Sequence, residues 1–259
     1  MQRALQDITN IKNTNIKITI KREAQALRRE ILRPYWEYLD TFYRHMDGRL
    51  WGRGELKQQY TGEVSLEMRS TLVEWMYEVK TDCLLSSSAF QIGVRLVDGY
   101  AMKSLLSRRT FQLLGIVCLY IGQKVADTKR CRASVFVGLC DGAYTKEEFI
   151  AMERKVLMEM AFSTNYLLPL QVIKTDYLGV GNALCAFAAE AILLDAEYGS
   201  SRPTELAQYI EENVSEIVNG RSGDGSFMTM LREAKGMLDV QPRRIKDAIE
   251  RSRRPSWSL

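Results

Sequence analysis

The chain has 259 residues, of which 46% are apolar and 26% charged. That suits one large domain, or two of about 100–150 residues each, with a real core. The formal net charge of +4 is too small by itself to indicate nucleic acid. The positive excess gathers at the ends, in Lys21-Arg22 and Arg28-Arg29, then Arg243-Arg244, Lys246, Arg251 and Arg253-Arg254. Solvated helix faces account for it; a localisation signal or an acidic partner is the alternative. No apolar run approaches the length of a membrane span, and the polar start is not that of a secretory signal. The five cysteines, Cys83, Cys118, Cys131, Cys140 and Cys185, form no C-x-x-C pair. Their odd number suits a reducing compartment better than a disulfide framework.

Residues 1–20 are rich in Asn, Thr, Lys and Gln without a sustained period, so they are expected to be poorly ordered. Residues 21–31 suit a charged helix. Pro34 suits the first turn of the next helix, where its missing N–H is no loss. Tyr35, Leu39, Phe42 and Met46 form the apolar stripe of that helix. Gly48, Gly52 and Gly54 then break the chain into a loop.

Five helical segments are predicted between Val64 and Phe162. In the first, Met68, Leu72, Trp75, Met76 and Val79 fall at i, i+4, i+7, i+8 and i+11, an apolar face with the 3.6-residue period. The second, about Ser87–Met102, follows serines that offer an N-cap. The third, about Phe111–Val125, is apolar nearly all round and should lie at the centre of a bundle. Its Gly115 and Gly122 lower helix propensity, which suggests close helix approaches. The fourth, about Arg132–Leu139, is short. The fifth, about Thr145–Phe162, opens with Thr145 and Glu148 at capping-box spacing.

Pro169 marks a boundary, after which helical patterning resumes over about 169–177, 181–194, 203–218, 226–238 and 242–252, with a loop from Gly220 to Gly225. No alternating, β-rich segment is visible. The prediction is an all-α chain with two helical halves.

The run Met68-Arg69-Ser70-Thr71-Leu72-Val73-Glu74-Trp75-Met76-Tyr77-Glu78-Val79 resembles the opening helix of a cyclin box, which reads roughly M-R-x-x-L-x-D/E-W-ϕ-x-E-V. The likeness continues through Asp98 in the second helix, Leu113 and Lys124 in the third, and Glu153 in the fifth. With Arg69 these complete the family's set of five signature residues. A weaker second repeat resembles Ala189–Asp195 and Arg202–Ala207. The resemblance covers about residues 34 to 240 and points to the A/B group of cell-cycle cyclins. It implies two tandem cyclin-box-like helical domains, the second divergent and shortened. The implied boundaries are a tail and charged segment at 1–33, a leading helix plus first box at 34–166, and a second repeat with a basic tail at 167–259.

The same resemblance implies roles for particular residues. Arg69 and Asp98 are the structural ion pair between the first two helices. Lys124 and Glu153 belong to the face that binds a cyclin-dependent protein kinase, where charge-assisted bonds to main-chain groups suit them. Leu157, Phe162, Tyr35 and Leu39 are the apolar contacts of that face, with core packing an alternative for Leu157 and Phe162. Met68, Leu72, Trp75, Phe111 and Gln112 form a groove for Arg-x-Leu motifs of substrates or inhibitors, with Glu78 to pair the motif's Arg. Core packing is the alternative for Met68 and Trp75. The chain departs from the family at Val125, where relatives carry a large aromatic, at Gly99, where an Arg is usual, and at Thr71, where Ile or Leu is usual. Leu5–Asn10 keeps the Leu, Ile and Asn of a destruction box, but Gln2 stands where its Arg belongs.

The implied function is a regulatory subunit that activates a cyclin-dependent Ser/Thr kinase and recruits its substrates in the nucleus and cytoplasm. A DNA-binding transcription factor of the same fold is one alternative, though no zinc-ribbon C-x-x-C pair precedes the repeats. A protein that sequesters a kinase without activating it is another. No enzyme activity, cofactor or metal is expected. The single His45 has no nucleophile–base spacing, and Gly220–Gly225 lacks a P-loop Lys.

Overall fold

The computed structural model describes residues 55–173, 180–195, 201–218 and 224–238, all within the compact unit Met46–Leu259. The expectations for residues 1–54, including Tyr35, Leu39 and the Leu5–Asn10 motif, lie outside the described residues, as does the segment at 242–252. The helices are α1 (Glu55–Gln59), α2 (Leu66–Asp82), α3 (Ser87–Ala101), α4 (Phe111–Ala126), α5 (Ala133–Gly138), α6 (Lys146–Glu159), α7 (Pro169–Val172), α8 (Val180–Ala191), α9 (Pro203–Val218) and α10 (Gly225–Leu238). A 3₁₀ turn at Arg108–Thr110 leads into α4. No β-strand occurs among the described residues; one antiparallel bridge joins Thr61 and Ser65.

Local chemistry sets the helix starts. Ser65 and Ser86 accept hydrogen bonds from the Met68 and Ala89 amides and so cap α2 and α3. Thr145 and Glu148 complete a reciprocal capping box on α6. α1 was not visible in the sequence: five residues are too few to show a period. It nonetheless delivers Leu56 and the following Tyr60 into the core.

The most enclosed helix is α3, not α4. Every residue of α3 from Ala89 to Ala101 is buried, whereas α4 brings Gln112, Tyr120 and its last turn, Lys124–Ala126, towards solvent. Gln91, Arg95 and Asp98 disguise α3 in the sequence. On α2 the core face is Leu72, Val73, Met76 and Val79, with Met68 and Trp75 half-buried on its flank. The apolar period there serves both a core and a groove.

Helices α3 and α4 approach so closely that a Cβ on Gly122 would sit 2.2 Å from the Ala89 carbonyl oxygen. Backbone stands in the way, so Gly122 is required. A Cβ on Gly93 would lie 3.0 Å from the Leu119 Cα, which makes this a two-sided contact. Gly115 faces only the movable Leu72 side chain.

Arg69 of α2 and Asp98 of α3 form a fully enclosed pair. Arg69 Nε donates to Asp98 Oδ1 and Nη2 to Oδ2, both at 2.7 Å. Tyr60 Oη donates to the same carboxylate at 3.1 Å, and Arg69 Nη1 donates to the Leu193 carbonyl at 3.2 Å. Burial works against the guanidinium charge, but Asp98 outweighs it and holds Arg69 above its ordinary value. Burial first, and then the Asp98 charge, pushes the Tyr60 phenol well up, so it stays a donor.

Two further cations join the α2–α3 layer to residues after 185. Lys80 Nζ pairs with Glu190 Oε1 at 2.9 Å, with both side chains largely buried. Arg95 Nη2 donates to the Ser201 carbonyl at 3.2 Å. A second hydrophobic cluster lies beyond, with Ala188 and Ala189 of α8, Ile210 and Val214 of α9, and Phe227 of α10 buried together.

Removing one partner of a buried pair leaves the other uncompensated. Asp98→Ala should therefore destabilise the fold by about 3–5 kcal/mol and lower Tm by roughly 6–20 °C. Replacing both charges, in Arg69→Met/Asp98→Leu, should cost less than the single change. Thermal and urea unfolding check this. A single-variant loss below about 1 kcal/mol contradicts the assigned role.

Candidate partner-binding surfaces

The first surface lies where the end of α4 meets α6. Lys124, in the last turn of α4, is ion-paired to Glu153 Oε1 of α6. Its Nζ also stands over the Tyr120 ring, 4.7 Å from the centroid. Tyr120 in turn packs edge-on against the rings of Phe136 and Phe149. The pair is thus held in place by the core but keeps access to solvent, with 34% of the Lys124 side chain and 17% of Glu153 exposed.

Exposed apolar groups occur on the same two helices and at the stop of α6. On α6, Phe149 and Val156 turn inward. Ile150 and Leu157 share the flank of Glu153 at i−3 and i+4. Ile150, Met158, Val125 and Phe162 are all exposed, and Leu157 is half-buried. Among the described residues the other exposed large hydrophobics are Leu84 and Leu105, both in loops. Exposed apolar groups of this kind mark a contact surface.

Phe162 is exposed because of how α6 ends. The Ala161 amide donates to the Met158 carbonyl at 2.9 Å and the Phe162 amide to the Leu157 carbonyl at 2.8 Å. These are the two bonds of a Schellman stop. Ala161 and Phe162 have φ of +48° and +57°, in the left-handed region that glycine usually fills. Each such non-glycine residue costs on the order of 1–2 kcal/mol. The cost leaves the Phe162 ring 68% exposed. The family resemblance anticipated a surface role for Phe162, but no Gly or Asn marks the stop that presents it.

The second surface is a groove of about 520 Å³ between α2 and the start of α4. Leu72 and Phe111 are its buried floor, and Met68, Trp75 and Gln112 are half-buried around it. Five of the six residues chosen from the sequence thus meet in one cavity. Glu78 does not line it and stands exposed about one turn beyond Trp75. Glu67, Arg108 and Thr71 line it instead. Thr71 presents a hydroxyl that donates to the Glu67 carbonyl at 3.0 Å. Beside the groove, Glu74, Glu78 and Asp82 stand at i, i+4 and i+8. The Glu78 carboxyl is raised above its ordinary value, by partial burial first and then by the Asp82 and Glu74 charges. Such a strip attracts cations.

No group of three or more His, Cys, Asp or Glu suited to a metal occurs among the described residues. No helix among them is long and apolar enough to cross a membrane.

Residues 41–165 match the family model for the cyclin N-terminal domain. The chain is 32% identical over 153 residues to the G2/mitotic-specific cyclin-B3 of Gallus gallus, across 56% of this chain and 37% of that protein. It is 32% identical over 100 residues to cyclin-A2-3 of Arabidopsis thaliana, across 39% of this chain and 22% of that protein. The chain thus spans well under half the length of these relatives. In fold it is similar to the X-ray structure of a viral cyclin from herpesvirus saimiri. The TM-score is 0.56 at 19% identity, across 73% of this chain and 86% of that one. Residues 41–165 therefore match a cyclin N-terminal domain, and the proteins this chain resembles are cyclins of the A and B types.

Proposed function

We propose that this chain is the regulatory subunit of a cyclin-dependent Ser/Thr protein kinase acting in cell-cycle control. The observation that carries the reading is the core-braced Lys124–Glu153 pair, with exposed Val125 next to Lys124, Ile150 and Leu157 on the flank of Glu153, and exposed Phe162 at the stop of α6. Its physical logic is selection of one kinase conformation. An active kinase needs its αC helix turned inward so that a Lys–Glu pair closes over the nucleotide. A rigid helical face that fits only the inward helix shifts the population towards activity. Lys124 and Glu153 would meet main-chain groups of the kinase, and the exposed apolar groups would supply buried area. Tyr35 and Leu39, outside the described residues, belong to the same proposal as kinase contacts.

Val125 is small and exposed where relatives carry a large aromatic. That favours a weaker contact or a divergent kinase, and it gives the sequestering alternative its specific support. The α2–α4 groove is proposed to hold Arg-x-Leu motifs, with apolar anchors over Leu72 and Phe111 and the motif's Arg against the Glu74–Glu78 strip. Residues 34–166 and 167–259 are proposed as tandem cyclin-like repeats. The second hydrophobic cluster of α8, α9 and α10 supports this division. Action in the nucleus and cytoplasm belongs to the same proposal.

Two measurements test these surfaces. In kinase pull-down from cell extract, Lys124→Ala/Glu153→Ala should weaken capture at least ~30-fold, the loss that follows truncation of buried charge pairs. Wild-type protein should recover a kinase that phosphorylates a histone-type substrate. A silent kinase supports sequestration, and equal capture by both proteins removes the proposed face. For the groove, Thr71→Leu adds apolar area and should tighten an Arg-x-Leu peptide by about 5–30-fold, read by fluorescence anisotropy. Unchanged affinity in both Thr71→Leu and Trp75→Ala contradicts the groove assignment.

A further inference from the structure

Two of the five cysteines stand against each other. Cys83 is the residue that stops α2, its amide donating to the Val79 carbonyl at 2.9 Å. Cys131 lies in the loop that leaves α4, and its Sγ is 3.7 Å from the Cys83 carbonyl oxygen. The Cys131 thiol thus donates to the main chain of Cys83 itself. The frame around them is fixed. The fully buried Gln123 amide donates from Nε2 to the Cys131 carbonyl at 3.1 Å and accepts from the Cys131 amide at 2.7 Å. Asp127 Oδ2 accepts from the Ser86 amide at 3.2 Å, which ties the start of the loop to the start of α3.

The two thiols differ in access. Cys83 is buried, whereas Cys131 is half-exposed and flanked in sequence by the exposed cations Lys129, Arg130 and Arg132. Reactive cysteines occupy partly exposed, electropositive surroundings, often beside a resolving thiol. Cys118, Cys140 and Cys185 lack that access: all three are buried. Burial, then Asp141, pushes the Cys140 thiol up to about 11, burial, then Glu211, does the same for Cys185, and burial, then Cys131, pushes Cys83 up to about 12, so Cys83 is suited only to the second, resolving step.

We propose that Cys131 and Cys83 are a peroxide-responsive pair that closes into a reversible disulfide. The Cys131 sulfur attacks one oxygen of a hydroperoxide and the O–O bond breaks. The distal oxygen stays on sulfur as a sulfenic acid, and the other leaves as alcohol or water with the thiol proton. The Cys83 sulfur then attacks the Cys131 sulfur. The S–O bond breaks, and hydroxide leaves as water with the Cys83 proton. Two thiols are oxidised by two electrons, and the peroxide is reduced by two. A dithiol reductant restores both thiols. The bridge ties the end of α2 to the loop that leaves α4. It needs no other protein and is independent of the kinase reading.

The test treats the full chain with hydrogen peroxide, labels the remaining thiols with a maleimide after unfolding, and maps digested peptides by mass spectrometry without reductant. The expected result is a linked pair of peptides carrying Cys83 and Cys131, lighter by two hydrogens and separated by dithiothreitol, with Cys118, Cys140 and Cys185 labelled. Cys83→Ser should leave Cys131 as a sulfenic acid captured by dimedone, and Cys131→Ser should leave Cys83 labelled. Maleimide on both residues in peroxide-treated wild-type chain overturns the proposal. So does Cys131 as sulfinic acid with Cys83 labelled.

Discussion

The enclosed pair of Arg69 and Asp98 is the constraint that the rest of the fold depends on. Two charges without solvent access are unfavourable unless their geometry is nearly complete. Here the carboxylate accepts two bonds from Arg69 and one from Tyr60, and the guanidinium reaches the Leu193 carbonyl. These bonds fix α2 against α3 and bring in α1 and the residues after α8. An apolar pair could match the stability but would not dictate which groups meet.

From that anchor the positions follow in sequence. Enclosed α3 offers Ala89 and Gly93 to α4, and the bare Cα of Gly122 lets the two backbones close. That contact is one turn or less from Lys124, so the last turn of α4 inherits its rigidity. Tyr120 packs on Phe149 of α6 and supports the Lys124 ammonium from below. The surface pair with Glu153 is thus an extension of core packing. A surface ion pair has little stabilising value by itself, so its bracing suits a binding role. The strained turn at Ala161–Phe162 fits the same view. Backbone strain of this kind gathers where a side chain must be presented rather than packed.

Much of this was legible in the chain. The capping box of Thr145 and Glu148, the serine cap of α3, and the period of α2 came directly from residue chemistry. The resemblance on Met68–Val79 brought Arg69, Asp98, Lys124 and Glu153 onto specific faces that period alone would have left as scattered charges. Other features were hidden for physical reasons. α3 carries Gln91, Arg95 and Asp98, so a hydrophobicity pattern understates its burial; their partners lie as far away in sequence as Ser201. α1 is little more than one helical turn, too short to show a period. Arg108 and Glu67 enter the groove through the 3₁₀ turn and the first turn of α2, and no period marks them. The left-handed turn at Ala161–Phe162 is a helix stop built without glycine, so no residue type announces it.

The central claim is that the face formed by the last turn of α4, the Glu153 flank of α6 and the turn after it receives a kinase. The most direct measurement is a structure of the chain bound to the kinase it captures from cell extract. The account predicts Lys124 and Glu153 within hydrogen-bond distance of kinase main-chain groups, with the Phe162 ring covered. A kinase seated elsewhere, with Lys124, Glu153 and Phe162 still facing solvent, would contradict it.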